Sequence, residues 1–173
     1  MRLTKTGVAA VGVLVVILAV IVAAPGRACD CGNMGKSAAN GAAAAKGPVA
    51  ADVNEYPGCT QCGMHRDRFD YSRAYVEFTD GSKAGTCSIG CVADEVKNAP
   101  AKKVKLIRVA DYQTRQLLDA ATAYWVIGGD VSGVMTRTPK WAFADKAAAE
   151  AFIKEHGGRL IGFADVWQAA LAE

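Results

Sequence analysis

The chain has 173 residues, with 20 Lys and Arg against 17 Asp and Glu and a net charge of +3. The charges are scattered in short mixed groups and make no basic face, which sets nucleic acid aside as a partner. Apolar residues make up 51%, inflated by alanines and by one N-terminal run. Without that run the rest is enough for one medium domain or two small ones.

Residues 1–28 read as a signal peptide or membrane anchor. Arg2 and Lys5 precede residues 7–24, which carry no charge, the order of a charged n-region and an apolar h-region. The run is at the short limit for a membrane span. Gly26, Arg27 and Ala28 precede Cys29, so lipidation of Cys29, an uncleaved anchor and plain secretion are the three outcomes. Arg27 stands where a lipobox takes a small or apolar residue. The expected location is periplasmic, held to the membrane by this helix or by a lipidated Cys29.

Residues 29–55 are rich in Gly, Ala, Ser and Lys and hold no aromatic residue. Such a segment buries too little apolar surface to order itself and reads as a flexible linker. Its Cys29, Cys31 and Met34 form either a lipidation site with a spare thiol, a disulfide-prone pair, or an auxiliary soft-metal site on a mobile arm.

The folded part is expected from residue 56. Residues 73–79 alternate and favour a strand, Asp80-Gly81 is a hairpin turn signal, and 83–87 return. Ser88 predicts an N-cap for a helix over 89–97, with Pro100 beyond its end. A strand over 104–110 follows, then a helical or loop-like stretch over 111–121. Strands over 123–127 and 140–143 come next. Asp145 predicts the cap of a helix over 146–155 that Gly157-Gly158 terminates. A strand over 159–163 and a helix over 165–172 close the chain. This order predicts an α+β fold, a tandem repeat of two ββαβ units at 56–121 and 122–173.

The chemistry concentrates in Cys59-Thr60-Gln61-Cys62-Gly63-Met64-His65 and in Cys87-Ser88-Ile89-Gly90-Cys91. Two thiols three residues apart can chelate one ion from a tight turn, which Gly63 permits. Cys87 and Cys91 flank an expected helix start, where amides and the dipole favour thiolate. Four thiolates suit a closed Zn2+ site. A smaller thiolate set with the Met64 thioether suits Cu(I). Structural disulfides and a thiol–disulfide oxidoreductase are the other readings. Met135 sits in a long polar turn, as a core residue or a second thioether ligand. His65 fits a solvated turn or a ligand, and His156 a helix cap. No nucleophile triad, carboxylate pair, phosphate loop or dinucleotide fingerprint is present, so no catalysis is expected.

Cys62-Gly63-Met64, the Asp80-Gly81 hairpin, Cys87-Ser88 with Cys91, Val109-Ala110-Asp111-Tyr112, Ala123-Tyr124-Trp125-Val126 and Gly133-Val134-Met135 occur in that order. Together they resemble the NosL family, the nitrous oxide reductase accessory proteins, over roughly residues 56–166. The resemblance implies a membrane-anchored, extracytoplasmic Cu(I) chaperone with a tandem ββαβ fold. Its client would be a copper enzyme such as nitrous oxide reductase or another metal-transfer protein. Carried over by position, Cys62, Met64 and Met135 are the metal-site residues. Cys59, Cys87 and Cys91 add thiols to that set, and Arg137 stands where the family typically has His two residues after its second-half Met. The run of cysteines is also similar to the metal modules called TRASH or YHS domains. A four-cysteine Zn2+ interaction module is therefore the alternative.

Overall fold

In the computed structural model of the chain, residues 50–173 are described. The expected anchor, Cys29, Cys31, Met34 and most of the expected linker lie outside them. Among the described residues no helix is long and apolar enough to cross a membrane.

The first described element is a helix, α1 (Ala51–Glu55), inside the stretch expected to be linker. Composition could not reveal it, because two residues hold it in place. Val53 is buried, and the Asp52 carboxylate pairs with Arg66 and Arg73 at 2.7 and 2.9 Å.

Strands β1 (Ala74–Phe78) and β2 (Lys83–Thr86) form an antiparallel hairpin. Its turn follows from local chemistry. Gly81 adopts φ +83°, and the Asp80 carboxylate accepts from the backbone N–H and hydroxyl of Ser82, as short polar side chains do in tight turns. Helix α2 (Ile89–Asn98) follows, capped by Ser88, whose hydroxyl accepts from the Cys91 amide. Strand β3 (Val104–Ala110) then pairs with β1, bringing Val76 opposite Ile107. The stretch expected to be helical or loop-like instead holds a short strand, β4 (Leu117–Asp119). It pairs with the end of β3, Val109 opposite Leu118, where that strand offers free ladder groups. The first sheet is ordered β2-β1-β3-β4.

The second sheet, ordered β6-β5-β7, is also antiparallel and consists of β5 (Tyr124–Ile127), β6 (Lys140–Phe143) and β7 (Arg159–Ile161). Helix α3 (Lys146–His156) lies between β6 and β7 in sequence. The Asp145 carboxylate caps it by accepting from Ala147, and Gly157 at φ +75° ends it. Helix α4 (Phe163–Leu171) begins two residues before the expected start, after Gly162 instead of a capping side chain. Asp165, the expected first residue, lies in its first turn, where a carboxylate favours the dipole. The described residues therefore form a mixed α/β fold with two antiparallel sheets.

Two apolar clusters make the core. One gathers Val76, Phe78, Val92, Val109, Trp125 and Val166 from both sheets, α2 and α4. The other gathers Val126, Val134, Trp141, Phe143 and Phe152 around Cys59, Cys87 and Cys91. Asp111 joins the sheets: it bridges to Ala142, and its carboxylate accepts from the Ala144 amide. The thiols thus sit inside packed core, at the edge where β2 hands the chain to α2.

Candidate metal centre

The first thiol pair rides on a closed turn. Gly58 and His65 form a β-bridge, the Cys59 amide donates to the Met64 carbonyl at 2.8 Å, and the Gly63 amide donates to the Cys59 carbonyl at 2.9 Å. Gly63 takes φ +74°, a conformation that strains residues with a Cβ. The turn is docked onto its neighbours. Thr60 donates its amide to the Gly85 carbonyl at 2.9 Å and its hydroxyl to Glu95 of α2 at 3.1 Å. Gln61 donates to the same carboxylate and accepts from Asn98.

The second pair flanks the start of α2. Cys87 ends the run out of β2, Ser88 caps, and Cys91 lies in the first helical turn. The four sulfurs converge, all within 4.8 Å of one another. Cys62 and Cys87 are 3.5 Å apart, Cys87 and Cys91 3.6 Å, and Cys62 and Cys91 3.9 Å. All four are free thiols. A metal–sulfur bond of ~2.3 Å spaces thiolates ~3.8 Å apart in a tetrahedron and ~4.0 Å apart in a trigonal plane. These three sulfur–sulfur distances lie near both values. Cys59, Cys87 and Cys91 are buried, whereas Cys62 is only half-buried. The cluster is compatible with binding a metal that has one approachable thiol.

The electrostatics point the same way. Hydrogen bonds donated by Cys87 and Cys91 hold the Cys59 thiol well below its usual range. The same bonds push Cys87 and Cys91 up, with burial adding to the effect. The arrangement favours Cys59 as the thiolate, with Cys87 and Cys91 protonated beside it. Metal binding at such a site releases the remaining protons.

Of the other sequence-predicted residues, Met64 is half-buried and packs against the thiol-bearing core. Met135 does not join it as a buried group. It is 52% exposed, has φ +48°, and shares a groove of about 300 Å³ with Gly90, Asp94 and Glu173. Its carbonyl lies against Gly90, the residue before Cys91, where a Cβ would come within 2.8 Å. The loop that carries Met135 is pinned from below. The buried Lys140 ammonium donates to Thr136, the Thr138 carbonyl and Glu173. His65 is exposed. His156 lies 3.1 Å from Asp130 at the end of α3.

Sequence reasoning passed over Arg66. It follows the thiol turn in a charged stretch that reads as solvated, yet it is fully buried. No one-dimensional signal separates it from Arg68, which is exposed.

The NosL family model matches residues 50–171. A protein of Stutzerimonas stutzeri described as a copper-binding lipoprotein NosL is 39% identical over 57 residues, which cover 33% of this chain and 30% of that protein. The crystal structure of the copper chaperone NosL from Shewanella denitrificans matches with a TM-score of 0.52 and 25% identity, covering 65% of this chain and 90% of that one.

Proposed function

The chain belongs to the NosL family; from that premise, and from the four converging thiols, we propose that it is an extracytoplasmic Cu(I) metallochaperone. The cargo is Cu(I), held by thiolates from Cys59, Cys62, Cys87 and Cys91. Met64 supports it from the packed side, and Met135 offers a thioether at the surface. The client is a copper enzyme such as nitrous oxide reductase or another metal-transfer protein. Residues 1–28, or a lipidated Cys29, tether the chain to the membrane, and residues 56–121 and 122–173 are the two ββαβ units of a tandem repeat.

The observation that carries this reading is the mixed exposure of the thiol set. Three sulfurs are buried in an apolar shell, and Cys62 is open to approach. Transfer by ligand exchange needs that asymmetry. An incoming thiolate or thioether bonds to Cu(I) as the Cys62–Cu bond breaks. The copper stays Cu(I), and the freed thiolate takes a proton from solvent. The names of the Stutzerimonas and Shewanella proteins support copper as the cargo.

The test is Cu(I) competition against a chromogenic chelator, run on the reduced full chain without oxygen. Tight binding is expected to a chain already folded without metal. Four-ligand structural Zn2+ sites are worth about 10–16 kcal/mol, roughly 3 kcal/mol per ligand, and that scale is taken for one thiolate here. Cys62→Ser is therefore expected to weaken binding about a hundredfold. Unchanged affinity in that variant would remove Cys62 from the site.

A structural Zn2+ site is the second reading, favoured by sulfur spacing that also fits a tetrahedron. It requires that chelation unfolds the chain. A chain that loses its fold with Zn2+, and in which Cu(I) merely displaces Zn2+, would replace the chaperone reading.

A further inference from the structure

Arg66 has a 0% exposed side chain and no free donor. A guanidinium carries five N–H groups. Here Nε donates to the Thr86 carbonyl at 3.0 Å, Nη1 to the carbonyls of Asp52 and Tyr56 at 2.6 and 2.8 Å, and Nη2 to the Asp52 carboxylate and the Ala74 carbonyl at 2.7 and 3.0 Å. These acceptors lie on three stretches separated in sequence, at Asp52–Tyr56, Ala74 and Thr86. Thr86 directly precedes Cys87, Tyr56 leads into Cys59, and Arg66 itself leaves the turn that carries Cys62. One side chain therefore ties both thiol-bearing segments to each other and to β1.

The charge is as informative as the geometry. Arg73, 2% exposed, shares the same carboxylate, with Nε 2.9 Å from Asp52 Oδ2 and Nη2 3.1 Å from Oδ1. Two buried guanidiniums share the one Asp52 carboxylate, and Arg66 lies near Cys59. Burial works against the Arg66 charge, while Asp52 and the nearby Cys59 support it. Buried cations are costly unless something negative offsets them. Three or four thiolates on Cu(I), or four on Zn2+, leave the loaded centre negative.

We propose that Arg66 is a positioning residue for the thiol site: it sets the spacing of the Cys59–Cys62 turn against Cys87 and places buried positive charge beside the loaded centre. The metal half of this inference rests on the function proposed above; the spacing half does not. Arg73 supplies the contrast. It uses the same carboxylate, and its other side-chain hydrogen bonds go to the carbonyls of Asp70 and Arg115, not to a thiol-bearing segment.

The test compares Arg66→Lys and Arg73→Lys in the full chain carrying Cys29→Ser and Cys31→Ser, so that bridging reports the four clustered thiols. Thiol spacing is read without metal from the rate of bridging by dibromobimane, which fluoresces when it links two thiols. Cu(I) affinity is read by chelator competition, and the fold by circular dichroism. Arg66→Lys is expected to slow bridging and to lower Cu(I) affinity about 10- to 100-fold, the usual cost of disturbing groups that orient metal ligands. Arg73→Lys is expected to change neither, whatever it does to stability. A folded Arg66→Lys with wild-type bridging, or equal losses in both variants, overturns the proposal. So does an Arg66→Lys chain that fails to fold even in trimethylamine N-oxide, which favours compact states; the guanidinium is then a requirement of the fold. A wild-type chain that binds no Cu(I) yet bridges faster than Arg66→Lys refutes the cargo reading and leaves the spacing role standing.

Discussion

At Gly85 the backbone of β2 passes so close to its neighbours that no side chain fits. A Cβ there would lie 2.5 Å from the Tyr56 Cβ and 2.8 Å from the Arg66 Nη1. Neither can withdraw cheaply, since Tyr56 is held through its carbonyl by that same guanidinium and every donor of Arg66 is engaged. The Gly85 carbonyl also accepts from Thr60 in the thiol turn. Gly85→Ala is therefore expected to destabilise the fold by about 1–3 kcal/mol, the range for forced overpacking, read as a lower urea midpoint. A variant as stable as wild type would mean that the Arg66 clamp has slack, which would also weaken its claim to set thiol spacing.

Helix α2 binds fold to site at the level of elements. Its cap, Ser88, stands between Cys87 and Cys91, so the hydrogen bond that starts the helix also fixes where the second thiol pair emerges. That bond is long, 3.4 Å, so Ser88→Ala is expected to cost about 0.5–1 kcal/mol, the low end for N-caps, in chemical unfolding. A loss well beyond that would assign Ser88 more than capping. Signals of this local kind were legible in the sequence. Ser88 and Asp145 cap as expected, Asp80-Gly81 turns the hairpin, and Gly157 ends α3, because each depends on chemistry within a few residues. The four cysteines were also legible as one candidate group, since strand pairing and a helix start constrain where they fall. Elements held by distant partners were not. Helix α1 depends on Arg66 and Arg73, which stand well beyond it in the chain, and β4 on an open stretch of β3. Arg66 escaped notice for the same reason: a buried arginine reads as a surface one until its acceptors are known.

At the scale of the whole molecule, Asp52 couples acid to the stability of the fold. Its carboxylate fastens α1 to Arg73 and to Arg66, the residue that ties the two thiol segments together. Burial alone would raise its pKa; the hydrogen bond and charge of Arg73, with those of Arg66, outweigh it and hold the group below its ordinary value of 3.8. A carboxyl depressed by folding adds stability that is fully present above the unfolded value and is lost as pH falls through the folded one. The loss is thus expected to begin below about pH 4 and to deepen with acid. Glu173 behaves alike: burial would raise it, but bonds from Lys140 and Thr136 leave it below its ordinary value of 4.5, so the Met135 loop should begin to loosen at a slightly higher pH. Urea unfolding of the metal-free chain at a series of pH values from neutral to about 2.5 reads the effect. Asp52→Asn separates the two groups. It should lower stability at neutral pH, where the carboxylate would otherwise be charged, and flatten the acid limb that remains. If the variant keeps the full wild-type acid dependence, Asp52 is not the group that protons attack, and the buried arginines must draw their compensation from the thiols instead.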